Sequence, residues 1–317
     1  MFSSVTRRSD SAWLLARRGA VTPPERASRP RAAFVASGGG GKGLAHLGVL
    51  RACEEAGIDF NVYVGTSAGA MACACRAAGL TAEELVAPFG SAKSARRWGE
   101  FRSPLPIFAR PNLELLTRAF FRTRGVLRAD GIEHFLRRSL PTDNFGELES
   151  ELHVVATDLA SSDRFVFNAQ SGVPVSSSVA ASMALPVVFR PFRVAGREYV
   201  DGAISRSLSL DVACASGPDL VVASMVHSPH QARDGVFPHR GMLRIVTQAI
   251  NTMARSRGLM EVELCRHEHP DVEVVLVESE RRDLSLVNAF SPREAWEVIV
   301  GGYASGRRAL RDAGLLT

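Results

Sequence analysis

Runs of apolar and β-branched residues alternate along this chain with stretches in which apolar positions recur three and four residues apart. Arg31 to Ala36, Val62 to Val64, Glu151 to Asp158, Leu220 to Val226 and Val272 to Val277 are runs of the first kind, and they predict buried strands. Arg164 to Asn168 and Arg197 to Val200 predict two more. Leu44, Leu47, Leu50 and Cys53 stand at near-helical spacing, so a helix is expected from Leu44 to Ala56, closed by Gly57. Small apolar residues from Ala70 to Arg76 predict a second helix, and Thr81 with Glu84 forms a capping-box pattern for a third over Ala82 to Ala87. Further helices are expected over Asp130 to Leu140, Met242 to Arg257 and Arg293 to Ala313, while the serine-rich stretch from Val173 to Ala184 is stopped by Pro186.

The first two strands both run into glycine turns that open helices. In the second, Gly65-Thr66-Ser67-Ala68-Gly69, the serine stands where a strained turn would expose its hydroxyl at a helix N-terminus, and the flanking glycines leave room for strand and helix to pack. In the first, Ser37-Gly38-Gly39-Gly40-Gly41-Lys42-Gly43, unpaired N–H groups can bind a phosphate or stabilise an oxyanion. A Walker loop fails twice, because Ala36 occupies the first glycine position and Gly43 the Ser/Thr position. Gly38, Gly40 and Gly43 match a dinucleotide fingerprint literally. However, no acidic residue ends the following strand to hold a ribose; the serine turn stands there instead.

Composition adds bounds. The chain's 317 residues, 46% of them hydrophobic, suffice to bury a core without staples, and no linker or repeat follows residue 31. The five cysteines lie mostly within apolar runs and read as reduced core residues, without spacing for zinc. No apolar run reaches the roughly 18 to 20 residues of a membrane span. Lysine occurs only at 42 and 93, so 36 of the 38 basic residues are arginine. Residues 1–31 carry seven arginines and read as a disordered basic extension; an organelle transit peptide shares that composition. Ala12 to Ala16 is too short for a secretory core, so a cytoplasmic or peripheral-membrane location is expected. Residues 91–128 carry nine basic residues against Glu100 and Glu114, interleaved with Trp98, Phe101, Phe108, Phe120 and Phe121. That pattern suits either a surface resting on anionic lipid or an amphipathic flap with a solvated basic face. No nucleic-acid motif accompanies it.

Taken in order, SGGGGKGLAHLGVLRACEEAGI, GTSAGA, VVATDL, ASMALPVVFRPF and YVDGAI resemble the patatin-like phospholipases, in particular the bacterial branch, from about Ala32 onward. The resemblance implies an α/β fold, a three-layer α/β/α sandwich with a mostly parallel central sheet, and hydrolysis of lipid acyl esters without cofactor or metal. It makes Ser67 the nucleophile and Asp201 the base that takes its proton. It also makes the N–H groups of Gly39, Gly40 and Gly41 the oxyanion donors, with Ala68 a further one. Gly38, Lys42, Gly43, Gly65, Gly69, Gly202 and Ala203 complete the motifs. Asp158 is a second strand-end carboxylate, read as structural, and His46 is read as packing. Three alternatives remain open: a Ser-Asp-His esterase using His227, His230, His239, His267 or His269; an acyltransferase; and a non-enzymatic lipid-binding module. A lipid acyl ester is the expected substrate, and the oligomeric state is not legible.

Overall fold

The computed structural model describes residues 30–89, 128–227, 242–279 and 292–316. The basic extension and nearly all of the basic stretch 91–128 lie outside the described residues. One mixed sheet organises the fold. Its core is five parallel strands in the order β8 (Glu273–Glu278), β7 (Leu220–Met225), β1 (Ala32–Ala36), β2 (Val62–Thr66) and β3 (Glu151–Asp158). β4 (Arg164–Phe167) pairs antiparallel with one edge of β3, while β6 (Arg197–Asp201) pairs antiparallel with the other and carries β5 (Phe192–Val194) on its far side.

The faces of β1 show the layers. Ala32, Phe34 and Ala36 pack into a cluster with residues of α1 (Ala45–Glu55), α2 (Ala68–Ala77), α4 (Asp130–Ser139) and α5 (Val175–Ser182). Ala33 and Val35 point the other way, toward α6 (Leu210–Cys214) and α7 (Met242–Glu268). The strands are therefore buried on both sides, as their uninterrupted apolar runs require, and the described part of the chain is a three-layer α/β/α sandwich. Phe34, Phe60 and Tyr63 form an aromatic cluster at the centre of the first face, with ring centroids 5.2 to 6.4 Å apart.

The expected elements are present with shifted ends. The predicted capping box forms on α3 (Ala82–Val86): Thr81 Oγ1 accepts from Glu84 N–H at 3.1 Å, and Glu84 returns the bond to Thr81 N–H at 2.8 Å. The first helix starts as a tight 3₁₀ turn, Gly40–Leu44, before becoming α-helical. α7 runs on to Glu268, past the expected end at Arg257. Gly258, just past that end, is a packing site: a Cβ would lie 3.0 Å from Met225 Sδ. Last comes α8 (Pro292–Asp312), which crosses α1 so closely that a Cβ on Gly48 would lie 2.0 Å from the Ile299 carbonyl. That contact fixes the helix that follows the glycine turn. Among the described residues no helix is long and apolar enough to cross a membrane.

The register of β3 positions the site. Val155 pairs with Val166 of β4 on one edge and with Thr66 of β2 on the other; Ala156 pairs with Phe165 of β4 and with Asp201 of β6. A strand has only two edges, so β2 and β6 share one of them, β6 taking over where β2 ends. The ends of the two strands thus meet, and with them Ser67 and Asp201.

Candidate active site

Ser67 sits between β2 and α2 with φ 53° and ψ −122°, a conformation that L residues rarely adopt. Its neighbours dictate the bend. A Cβ at Gly65 would lie 2.4 Å from Ala70 Cα, and one at Gly69 would lie 2.4 Å from the Ala36 carbonyl. The turn can close only where both side chains are absent. Its backbone is also tied from behind, since Ser67 N–H donates to Ser182 Oγ at 2.7 Å and Ser182 Oγ–H donates to the Val155 carbonyl at 2.6 Å. Ser182, from the serine-rich helix α5, was not singled out by the sequence; only its place beside Met183 in the ASMALP motif hinted at a role. Ser182→Ala is expected to leave Ser67 N–H unpaired in a buried site, lowering stability by about 1 to 3 kcal/mol. Turnover should fall more than KM rises, because the elbow loosens; urea unfolding and ester kinetics check both.

Ser67 lies against Asp201, whose Oδ1 accepts from Ala203 N–H at 2.9 Å. Burial pushes the Asp201 carboxyl up to about 6 against the opposing pull of Ser67 and Ala203. Gly202 is required beside it, because a Cβ there would lie 2.3 Å from the Val155 carbonyl. Asp158, the other strand-end carboxylate, belongs to a turn. Its Oδ1 accepts from the N–H groups of Ala160 and Ser161, and Arg197 lies 2.6 Å from Oδ2. Burial would raise it, but those partners together hold its carboxyl below the usual range.

The first glycine turn lies against the elbow. A Cβ on Gly38 would be 3.3 Å from Ser67 Cβ, one on Gly39 would overlap Val226, and one on Gly43 would lie 2.3 Å from Ala68 Cβ. Gly40 is left-handed at φ 54°. Lys42 N–H already donates back to Gly39 O at 3.2 Å, so the amides before it, at Gly39, Gly40 and Gly41, open the 3₁₀ turn without partners inside it. His46 anchors the turn. Its Nε2–H donates to the Ser37 carbonyl at 2.9 Å, while Ser224 Oγ–H donates to Nδ1 at 2.8 Å. Full burial pushes its pKa down to about 4, so the ring stays neutral.

Gly39, Gly40, Ser67, Asp201 and Ala203 line one pocket of about 40 Å³. Met183, Leu185, Val188 and Phe189, which follow α5, form an apolar wall, and Ile250 with Asn251 of α7 faces it. Gly41 stays within the turn and Ala68 begins α2, beside the pocket rather than on its lining. Lys42 is half-buried next to Ala45, Val226 and Val298. Of the histidines weighed as bases, His227 lines the pocket, but its Nδ1 is bonded to Asn251 Oδ1 at 3.1 Å. His267 and His269 lie at the far end of α7, where Glu273 N–H bonds to Asp219 and the parallel strands begin. His230 and His239 are outside the described residues.

The patatin-like phospholipase family model matches residues 34–214, more than half of the chain. The chain belongs to the patatin-like phospholipase family. An uncharacterized NTE family protein of Mycobacterium tuberculosis is 28% identical over 242 residues, a match covering 75% of this chain and 60% of that protein. This patatin-like chain thus spans about three fifths of the length of the mycobacterial relatives it matches. A lysophospholipase of Aspergillus fumigatus is 30% identical over 200 residues, covering 62% of this chain and 12% of that protein. Among solved structures, VipD from Legionella pneumophila aligns with a TM-score of 0.49 at 15% identity, covering 89% of this chain and 67% of that one.

Proposed function

We propose that this patatin-like protein is a serine lipid acyl hydrolase working through a Ser67–Asp201 dyad. The observation that carries the reading is the placement of Ser67 beside a buried Asp201, in a pocket shared by Gly39, Gly40 and an apolar wall. As Ser67 Oγ attacks the ester carbon, its proton passes to the Asp201 carboxylate. The carbonyl oxygen becomes an oxyanion facing the N–H groups of Gly39 and Gly40, with Gly41 and Ala68 adding to the positive field of the turn and of the α2 N-terminus. Collapse expels the alcohol, which takes the proton back from Asp201 and leaves an acyl-serine. Water then gives a proton to Asp201 as it attacks, and the acid leaves with Ser67 restored. The placement of serine and carboxylate side by side in one pocket favours this dyad over a triad, because His227 is engaged with Asn251 and not with Asp201. The family membership and the apolar wall support an acyl lipid as substrate. Mass spectrometry of products from a mixed lipid extract tests the reading: free fatty acid is expected with the native protein and not with Ser67→Ala, and equal release from both overturns it.

The same reading takes the basic stretch 91–128 to rest on an anionic membrane surface, from charge and aromatic content alone. Binding to anionic vesicles is expected to exceed binding to zwitterionic ones and to weaken as salt shortens the Debye length. Arg118, Arg122 and Arg124 changed together to Glu should lower vesicle binding while sparing hydrolysis of a soluble short-chain ester. A folded triple variant that binds vesicles like the native protein rejects the membrane contact.

A further inference from the structure

Two of the five cysteines meet. Cys214 ends α6 and Cys265 lies near the end of α7, 51 residues further along the chain, yet their Sγ atoms are 2.6 Å apart and either thiol can donate to the other. Both side chains are buried, in the apolar cluster that α6 and α7 build on one face of the sheet. Cys53 and Cys73 belong to the cluster on the opposite face, and Cys75 packs against that cluster, so the sheet stands between those three and this pair.

A ladder of contacts brings the two sulfurs together. Arg257, Glu261 and Cys265 are spaced four residues apart and so stand on one face of α7. Arg257 Nη1 donates to the Ile204 carbonyl at 2.6 Å, Ser209 N–H donates to Glu261 Oε2 at 2.6 Å, and Cys265 meets Cys214. Each turn of α7 thus meets the segment 204–214 about five residues further on, and two polar ties hold the register in which the third pair faces. A thiol is only a weak donor and a weak acceptor, so the contact adds little to the fold as it stands. The covalent bond it prepares adds more, because the sulfurs need close only to about 2.05 Å.

We infer that Cys214 and Cys265 are a modification site, oxidised by a hydroperoxide to an intramolecular disulfide that locks α7 to the segment leaving Asp201. That segment begins just beyond Asp201 and Ala203, and α7 carries Ile250 and Asn251, so the bond ties together two walls of the pocket. The inference does not depend on which reaction the pocket performs. With hydrogen peroxide, one thiolate sulfur attacks a peroxide oxygen; the S–O bond forms, the O–O bond breaks, and the departing hydroxide takes up the thiol proton as water. The second thiol attacks the sulfenic sulfur, the S–O bond breaks, and a second water leaves with its proton. Two thiols lose two electrons and two protons, and one peroxide becomes two waters. Burial holds the Cys214 thiol above its ordinary range, so the reactive thiolate is scarce at neutral pH and the lock closes slowly.

The test incubates the native full-length protein with hydrogen peroxide at about pH 8.5, where more thiolate is present, then unfolds it and alkylates the free thiols. Mass spectrometry is expected to count three free thiols in place of the five in the sequence. Non-reducing digestion should give one peptide pair joined through Cys214 and Cys265, two hydrogens lighter than its parts and separated by dithiothreitol. The oxidised protein should melt about 5 °C or more above the reduced one, because the bond spans 51 residues that the unfolded chain can no longer separate freely. Cys214→Ala and Cys265→Ala should each abolish that oxidation-linked rise, whatever their own midpoints. A folded native protein that keeps five free thiols under peroxide overturns the inference, and this count needs no variant. So does oxidation that stops at sulfinic acid, joins two chains or pairs other cysteines, and so does a variant that retains the rise.

Discussion

Asp201→Asn is expected to abolish ester hydrolysis and, in the same protein, to stabilise the fold. The carboxyl is 3% exposed, and its pKa is pushed up to about 6 by burial despite the opposing pull of Ser67 and Ala203. The sign follows from proton binding. Between about pH 4 and pH 6 the folded protein holds a proton on Asp201 that the unfolded chain has released, so stability falls as pH rises through that window. At neutral pH the buried carboxylate therefore lowers stability by roughly 3 kcal/mol, taking about 1.4 kcal/mol per pKa unit. Asn has the same shape, still accepts from Ala203 N–H, and cannot ionise. Urea unfolding at pH 7 should show the variant more stable by up to that amount, with the gain vanishing near pH 4. Loss of the base should lower kcat by about 10² to 10⁴. The native kcat/KM should rise with pH through about 6, as Asp201 ionises, then level off. A variant with native turnover, or with no stability gain at pH 7, contradicts the assigned role.

Ser67→Ala should lower turnover on the order of 10⁴-fold or more, because Ser67 carries the only hydroxyl or thiol among the described residues that line the pocket. A fluorophosphonate should add its mass to the native protein at Ser67 and leave the variant unmodified. Comparison with Ser67→Gly separates chemistry from strain. The backbone at Ser67, φ 53° and ψ −122°, burdens any side chain, and Ala keeps that burden while Gly releases it. Both variants should be inactive, with the Gly protein more stable than the Ala protein by about 1 to 3 kcal/mol, less the entropy that Gly adds to the unfolded chain. Labelling of Ser67→Ala at another serine would move the nucleophile elsewhere.

The two glycine turns are legible in the order of residues because their chemistry is local. A strand that must bend sharply into a helix admits only glycine at the closest contacts, and Gly65 and Gly69 each face backbone within 2.4 Å. The layered fold is legible for a similar reason, since a parallel strand covered on both faces has no polar side to show. The short elements are not: β5 and α6, three and five residues long, offer too few positions for a period to register. α7 outruns its expected end, running through Gly258, which packs closely against Met225.

The order of strands and helices, the elbow around Ser67 and the family to which they belong can all be read from the residues in order. The chain offers two strand-end carboxylates, Asp158 and Asp201, and five later histidines. Tertiary structure sets them apart by position. The register of β3 brings the end of β6 to the end of β2, so that Asp201 meets Ser67, while Asp158, two residues further along β3 than the one Asp201 faces, turns to Arg197 and its own loop amides. It also carries His227 to the pocket and leaves His267 and His269 at the opposite end of the sheet. The physical reason is range: a turn is decided by contacts among neighbours, whereas the meeting of residues 67 and 201 depends on which strands share an edge, and no local pattern encodes that.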